Sequence, residues 1–386
     1  MFKIAMLLPE ESVFSAIEGG PVVRWVYEVI SRNISIDIKY KILVKNTKND
    51  FERTLDIITP ARGIYSLLGK FTKISPSFKI YLYCLSHYKL IRDCKVVHIQ
   101  NRPEYAVVLR KLGFNGIIIL HVHNERIHFF SERYIIELDR AIDAVISCSE
   151  KVAQKYRPLS DSLYNKTKVI YNGVNPSLFK PASEIKKSSL LYVGRLVEGK
   201  GVHLLIDAFQ LLLQDFPGLT LTIVGAGHYG KTELQTPFEK SLFQKIKNIE
   251  QGRVICLGYL EHDTELPAVF NQHTILCLPS LTTEAFPMVV VEAMFCKLLV
   301  VASDVGGVSE AIDSERGVLV ADITVERLYL ALKNVLNDQE LTLDLREKSY
   351  HYAQKEFTWE KVTKDYFEFI LKLVENESIA HSKLVS

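Results

Sequence analysis

The sequence predicts two α/β domains, each built on a parallel sheet with helices on both faces. Apolar runs of strand length alternate with amphipathic stretches of helix length along the 386 residues, a pattern typical of parallel sheets. Eleven such runs are too many for one ordinary doubly wound sheet. Glycine, asparagine and proline at 172–176 interrupt the periodicity, so we place the domain boundary there.

The elements follow from these runs in chain order. Strands are predicted at 2–8, 39–45, 95–99, 116–122, 143–147, 168–171, 189–193, 219–224, 253–257, 274–278 and 298–302. Helices are predicted at 21–33, 103–112, 132–141, 201–214, 238–249, 287–296 and 325–336, and the end of the chain, 340–377, is predicted to be helical with a bend at 357–359. We therefore predict an N-terminal domain over 1–172, completed by a helix over 357–377, and a C-terminal domain over 173–356. Their strands would end at a common cleft.

Composition argues against a membrane-spanning protein and against a metal protein. No run approaches the roughly 20 apolar residues that a spanning helix needs, and the N-terminus is too short for a signal peptide. The six cysteines form no CxxC pair, which favours buried thiols in a reducing cytoplasm. We expect a cytoplasmic protein with no metal site and no cofactor.

Charge is unevenly distributed along the chain. Residues 1–180 hold 27 Lys+Arg and 17 Asp+Glu, a net +10, whereas the remainder has a net −8. The segment 57–92 has six basic residues, no acidic one and interleaved aromatics. It can lie on an anionic membrane at the inner face, or form a solvated basic surface over a buried aromatic stripe. Nucleic acid is not expected as a partner, because no recognition motif accompanies the charge.

Residues 225–232 (GAGHYGKT) match the phosphate-binding loop of nucleotide triphosphatases and follow a predicted strand. Three features argue against that function. Pro237 disfavours a helix directly after Lys231-Thr232, no later strand ends in an aspartate, and the motif lies far from the first strand. A dinucleotide-binding site would need an acidic residue at the end of a following strand, about 20 residues further on, and the sequence has none there. We expect these glycines to allow close approach to a ligand or to neighbouring backbone.

Glu284 and Glu292 bracket a predicted junction between a strand and a helix. If the helix begins near Pro287, the amides of Met288 and Val289 point out of its N-terminus, which attracts phosphates. A carboxylate on each side can accept hydrogen bonds from a diol. A nucleotide sugar has this layout of diol, diphosphate and diol, although an acidic first turn favoured by the helix dipole is an alternative.

Cations and histidines follow other predicted strands. Arg195 and Lys200 follow one of them and can clamp a diphosphate, or can be solvated residues of a surface turn. Gly19-Gly20 precede a helix and can expose amides to a phosphate. His121 and His123 end one strand, and His98, Gln100, Asn101 and Arg102 lie at the end of another. These polar side chains can face an acceptor.

Taken together, these motifs resemble those of a family 4 glycosyltransferase of the B type (GT-B), with two Rossmann-like domains. The stretches that carry the resemblance are 19–20 (GG), 120–124 (LHVHN), 169–175 (VIYNGVN), 192–201 (YVGRLVEGKG), 221–227 (LTIVGAG), 257–260 (LGYL), 278–280 (LPS), 284–294 (EAFPMVVVEAM) and 306–310 (GGVSE). They run in the family's order along nearly the whole chain. The resemblance implies a retaining, metal-independent enzyme that transfers a sugar from a nucleotide diphosphate donor, by default a UDP-sugar.

The resemblance also implies roles for individual residues. The catalytic residues would be His123, Arg195, Lys200 and Glu284. The donor would be bound by Gly19, Gly20, Gly258, Tyr259, Leu260, Phe286, Met288, Val289 and Glu292, and the acceptor by Gln100, Asn101, Arg102, His121 and Arg126. The family's usual Glu-Gly-Phe-Gly is Glu-Ala-Phe-Pro here, so Pro287 removes one amide and Ala285 narrows the allowed backbone. This departure puts fine donor selectivity in question.

The partners implied are a nucleotide-sugar donor and a glycan or lipid-linked acceptor, such as lipopolysaccharide or another cell-envelope glycan. No further carboxylate stands out as a nucleophile, which favours front-face attack of the acceptor. Two alternatives remain. A nucleotide-sugar epimerase on the same fold would need no acceptor, and a non-catalytic binding protein would bind the donor without turnover.

Overall fold

The computed structural model describes residues 2–15, 20–33, 38–48, 57–58, 75–124, 130–182, 189–227 and 236–385, without the side chains of 57–58, 378 and 380–385. The chain divides into two compact units. Unit 1 consists of Met1–Asn172 with Trp359–Ser386, and unit 2 of Gly173–Thr358. Each unit is described separately below.

Unit 1 is an α/β unit with a seven-stranded sheet. Its strands are β1 (Phe2–Leu7), β2 (Val13–Phe14), β3 (Ile38–Leu43), β4 (Asn46–Thr47), β5 (Ile57–Ile58), β6 (Val96–Gln100), β7 (Ile117–Val122), β8 (Ala144–Ser147) and β9 (Thr167–Val169). Its first helices are α1 (Gly20–Ser31), α2 (Pro76–Ile91), α3 (Pro103–Lys111), α4 (Glu132–Ala141), α5 (Glu150–Gln154) and α6 (Asp161–Asn165). The sheet order is β5-β3-β1-β6-β7-β8-β9 with parallel pairing throughout, and β2 pairs with β4 apart from it. Strands β6, β7 and β8 are buried on both faces, as helices on both sides of a parallel sheet require.

Unit 2 has a six-stranded sheet of the same kind. Its strands are β10 (Leu190–Val193), β11 (Leu221–Val224), β12 (Val254–Gly258), β13 (Ile275–Leu278), β14 (Leu299–Ser303) and β15 (Val318–Val320). Its helices are α7 (Val202–Asp215), α8 (Pro237–Ile246), α9 (Leu266–Phe270), α10 (Met288–Phe295), α11 (Val308–Ala311), α12 (Val325–Asn337) and α13 (Gln339–Glu356), with a 3-10 turn at Glu198–Lys200. The order is β12-β11-β10-β13-β14-β15, all parallel. The strand order reverses between β10 and β13, the position at which open parallel sheets bind ligands.

The last helix, α14 (Trp359–Val385), returns the chain to unit 1. Trp359, Val362, Tyr366 and Ile370 recur at three- and four-residue spacing and are buried in the unit 1 core beside Trp25 of α1. The predicted helix at the end of the chain is therefore two helices, with the expected bend at Phe357-Thr358 between α13 and α14. Within the part of the chain that the structure describes, no helix has the length and hydropathy to cross a membrane.

All eleven predicted strands are present, each end within two residues of its predicted position. The prediction missed β2, β4, β5 and β15, because two or three residues are too few to show a period. It also missed α2, which lies within the basic aromatic segment 57–92. Pro76 at its first turn and Ser75, whose hydroxyl accepts a hydrogen bond from the Phe78 amide, mark its start. Residues 59–74 of that segment, including Lys70 and Lys73, lie outside the described residues.

The next helix that the structure describes after the motif at 225–232 begins beyond its lysine. Helix α8 begins at Pro237, and Thr236 is its N-cap in a capping box with Glu239. Gly225, with a φ of +133°, lies so close to Gly194 that an added Cβ would stand 1.9 Å from the Gly194 carbonyl oxygen. The glycine serves close approach of backbone, as expected, while residues 228–235 lie outside the described residues.

Candidate active site

Lys200 is placed by a turn that packs against the end of a neighbouring strand. Gly201 has a φ of +66°, and an added Cβ would lie 1.9 Å from the carbonyl oxygen of Pro279, which follows β13. The Leu281 amide donates to the Gly199 carbonyl at 2.9 Å. The turn after β10 and the loop after β13 are thus joined by backbone contacts, so Lys200 reaches the loop that carries Glu284.

Lys200 and Glu284 form an ion pair at the point where the strand order of the unit 2 sheet reverses. Lys200 Nζ lies 2.5 Å from Glu284 Oε1, and the Ser280 hydroxyl donates to the same oxygen at 2.5 Å. The two side chains are only 20% and 11% exposed. A cation and a carboxylate are therefore held in fixed positions with little freedom to reorient.

Two glycines that the residue predictions did not include hold the backbone of Glu284. The Gly307 amide donates to the Glu284 carbonyl at 2.7 Å. Gly306 has a φ of +56°, and a Cβ there would stand 2.1 Å from that same carbonyl oxygen. Both follow β14, so a third strand end contributes to the site. The sequence signal that could have identified these two glycines is a Gly-Gly pair after a buried apolar strand.

Helix α10 presents its N-terminus next to Glu284. Pro287 is its N-cap with a φ of −80°, and the first-turn amides of Met288 and Val289 have no intrahelical acceptor. The Phe286 side chain is buried against Phe357, with ring centroids 5.4 Å apart. Only the backbone of Phe286 is thus suited to face a ligand. This arrangement favours an anion near the start of α10.

Glu292 lies one turn further along α10 and has a partner that the sequence did not reveal. His262 Nε2 lies 2.7 Å from Glu292 Oε1, and His262 Nδ1 lies 2.7 Å from Asp263 Oδ1. The contact links positions 30 residues apart in the sequence. A lone histidine in a loop carries no local pattern that predicts it.

The remaining predicted donor residues of unit 2 lie at the ends of β10 and β12. Arg195 is exposed, and its carbonyl accepts a hydrogen bond from the Tyr192 hydroxyl at 2.8 Å. Gly258 has a φ of +70°, and its carbonyl accepts from the Gly225 amide at 2.7 Å. Tyr259 and Leu260 follow it and are partly exposed. Gly258 is the last residue of β12, and the other three residues lie on loops that follow β10 and β12.

In unit 1, His123 is the outermost ring of a histidine stack. Its ring lies 3.8 Å from that of His121, and the His98 ring lies 5.4 Å beyond. Trp25 packs edge-on against His121 at 4.5 Å. Burial lowers the pKa of His98 and of His123 to about 3, and that of His121 well below its usual range, so all three rings are neutral near pH 7.

Gln100 and Asn101 hold His123 in place. Gln100 Oε1 lies 2.8 Å from His123 Nε2, and Asn101 Oδ1 accepts from the His123 amide at 2.8 Å. Because Gln100 Oε1 can only accept, this contact places the ring proton on Nε2 and leaves Nδ1 as an acceptor. Gln100 and His121 are both fully buried, so the structure does not place either where an acceptor substrate can touch it.

The remaining predicted site residues of unit 1 are Arg102, Gly20, Gly19 and Arg126. Arg102 pairs with Glu11, and its Nε lies 3.5 Å from Glu10 Oε2, so it joins the loop after β1 to the end of β6. Gly20 begins α1 with a φ of +64° and has open space around it. Gly19 and Arg126 lie outside the described residues. No cluster among the described histidines, cysteines and carboxylates could hold a metal ion.

Several solved structures, a glycosyltransferase among them, have a similar fold. Anabaena HepE in complex with UDP and glucose superposes with a TM-score of 0.73 at 20% identity, covering 96% of this chain and 99% of that one. WaaG, a glycosyltransferase involved in lipopolysaccharide biosynthesis, does so with a TM-score of 0.67 at 14% identity, covering 94% and 98%. At these identities the likeness establishes the fold, and the predicted GT-B architecture is confirmed.

Sequence comparison identifies the class of enzyme. Residues 176–355 match the family model of glycosyl transferases group 1. Over 281 residues the chain is 28% identical to an uncharacterized glycosyltransferase of Methanocaldococcus jannaschii, covering 72% of this chain and 71% of the relative. Over 291 residues it is 25% identical to spore coat protein SA of Bacillus subtilis, covering 70% and 76%. The chain is a glycosyltransferase, and the stretch that matches the group 1 model lies within unit 2.

Proposed function

We propose that this enzyme transfers a sugar from a UDP-sugar, with retention at the anomeric carbon, to a glycan or lipid-linked acceptor of the cell envelope. The observation that carries the proposal is the Lys200–Glu284 pair at the start of α10, where the strand order reverses. That location combines a cation, a carboxylate and a helix N-terminus, which suit a phosphorylated sugar. UDP in the HepE structures of the same fold supports this nucleotide.

The positions of these residues in unit 2 suggest how the sugar, diphosphate, ribose and base of the donor would lie along the site. Glu284 would accept hydrogen bonds from hydroxyls of the transferred sugar. Lys200, Arg195 and the amides of Met288 and Val289 would face the diphosphate, and Glu292 would bind the ribose diol. The segment at 258–260, which follows β12, would lie against the base. For unit 1 we propose that Nδ1 of His123 accepts a hydrogen bond from the transferred sugar.

The surroundings of Glu284 support a front-face mechanism. Its Oε1 already accepts hydrogen bonds from Lys200 and Ser280, which lowers its nucleophilicity. The acceptor oxygen would attack the anomeric carbon from the side on which the diphosphate leaves. The acceptor proton would pass to an oxygen of the departing phosphate. Catalysis would then depend on the cations that stabilise the negative charge of the leaving group and on fixed geometry.

Substitution of the ion pair tests this function. Purified K200A and E284A should each lose about 10²–10³ in donor turnover, because each removes a contact to the reacting sugar phosphate. K348A, which removes an exposed lysine of α13, is the matched control and should turn over like the wild type. Turnover is measured as UDP release from UDP-glucose and other UDP-sugars, and the thermal transition of each variant shows that it is folded. Wild-type rates in K200A or E284A would overturn the proposed site.

A further inference from the structure

Glu292 is a carboxylate in very apolar surroundings. Helix α10 has the sequence MVVVEAMF, and Val290, Val291 and Ala293 around Glu292 are buried. The Glu292 side chain is 5% exposed. A charged carboxylate so placed is costly without a hydrogen-bonding partner, and His262 supplies that partner.

The ring of His262 lies between two carboxylates. Each ring nitrogen lies 2.7 Å from a carboxylate oxygen, one of Asp263 and one of Glu292. A proton on Nε2 allows this nitrogen to donate to Glu292. The Phe179 ring, with its centroid 5.2 Å away, confines the imidazole from the side. These neighbours hold His262 with its Nε2 at Oε1 of Glu292.

We propose that His262 is a positioning residue that orients Glu292 toward the ribose diol of the donor. By occupying Oε1, it directs Oε2 toward a ligand hydroxyl, and acidic side chains commonly recognise a ribose 2′-hydroxyl in this way. The inference rests on the proposed function, in which Glu292 binds the ribose. A purely structural ion pair would stabilise α10 without affecting whether the protein prefers ribose or 2′-deoxyribose in the nucleotide.

Binding of UDP and of 2′-deoxy-UDP, measured by calorimetry, distinguishes these roles. Wild-type protein should bind UDP about tenfold more tightly than 2′-deoxy-UDP. In H262A the affinity for UDP should fall about tenfold and become nearly equal to that for 2′-deoxy-UDP, because Glu292 loses its orientation. H262Q retains one N–H that reaches Glu292 and should keep most of the preference. With UDP-glucose as donor, H262A should raise KM with little change in kcat.

Controls separate the possible failures. H351A removes an exposed histidine of α13 and should match the wild type for both nucleotides. If H262A loses its cooperative thermal transition, H262N takes its place, since its amide is too short to reach Glu292. A wild-type preference for UDP in H262A or H262N overturns the inference. Failure of the wild type to bind any nucleoside diphosphate overturns the proposed function instead.

Discussion

At the scale of single residues, backbone geometry decides where the side chains of the candidate site point. Glu284 is held through its carbonyl by Gly307, and the positive φ of Gly306 lets the chain pass over it. The ion pair with Lys200 therefore depends on residues with no functional group. Gly306 is the residue at which a single methyl group should change activity without touching a substrate.

We expect G306A to lose at least tenfold in donor turnover. The added Cβ would stand 2.1 Å from the Glu284 carbonyl, so the loop that carries Glu284 must move. Gly252 is the matched control, since its φ of +85° is also positive but nothing lies within 4 Å of an added Cβ. G252A should lose only about 1 kcal/mol of stability from strain and keep its turnover. Rates of UDP release and thermal transitions of both variants check this, and equal rates in the two would contradict it.

The sequence predicted Lys200, Glu284 and Glu292 because each lies in a motif of the resemblance. It did not predict the partners that hold them. Ser280 and Gly307 reach Glu284 through loops after different strands, and His262 reaches Glu292 across 30 residues. Such contacts depend on the order of strands in the sheet, which a local pattern does not contain.

At the scale of elements, α2 has an exposed face that is both apolar and basic. Phe78, Tyr81 and Leu85 are exposed and recur at helical spacing, so they form an apolar face. Lys79 and Lys89 on the same helix are exposed as well. This combination is typical of helices that lie in the interface of anionic bilayers, and we propose peripheral binding there.

Reversal of charge on α2 should abolish this binding. K79E/K89E protein should no longer sediment with phosphatidylglycerol vesicles, whereas the wild type does so at low salt and less at high salt. F78S/L85S should weaken binding at every salt concentration. The control is K348E/K355E, which reverses two exposed lysines of α13 in unit 2. Equal sedimentation of all four proteins would remove the membrane proposal.

At the scale of the whole molecule, the alternation of strands and helices gave the architecture. Mainly apolar runs such as β1 and β7 indicate that these strands are buried, because a strand covered on both faces consists mainly of apolar residues. The position of α14 is different, because its apolar spacing shows a buried face but not which sheet buries it. The prediction nevertheless assigned this helix to the N-terminal domain, and in the structure Trp359 and Tyr366 pack in the unit 1 core.

The histidine stack makes unit 1 sensitive to acid. His98 and His123 have a pKa of about 3 in the folded protein because of burial, against an ordinary value near 6.5 in the unfolded chain. Between pH 6.5 and 3 the unfolded chain therefore binds more protons, so the free energy of unfolding falls as pH falls. Each histidine contributes up to about 1.4 kcal/mol per pH unit in that window.

Urea unfolding, monitored by tryptophan fluorescence, measures how the stability of unit 1 alone depends on pH. The chain has two tryptophans, and both, Trp25 and Trp359, lie in the unit 1 core. We expect the midpoint to fall steeply from pH 6.5 to pH 5 and to stay nearly constant from pH 6.5 to 7.5. His121→Leu removes one titrating ring, neither of whose nitrogens has a partner among the described residues, so it should flatten the slope by about a third. H351A leaves the stack intact and should keep the full slope, and an equal slope in H121L would show that the stack does not titrate on unfolding.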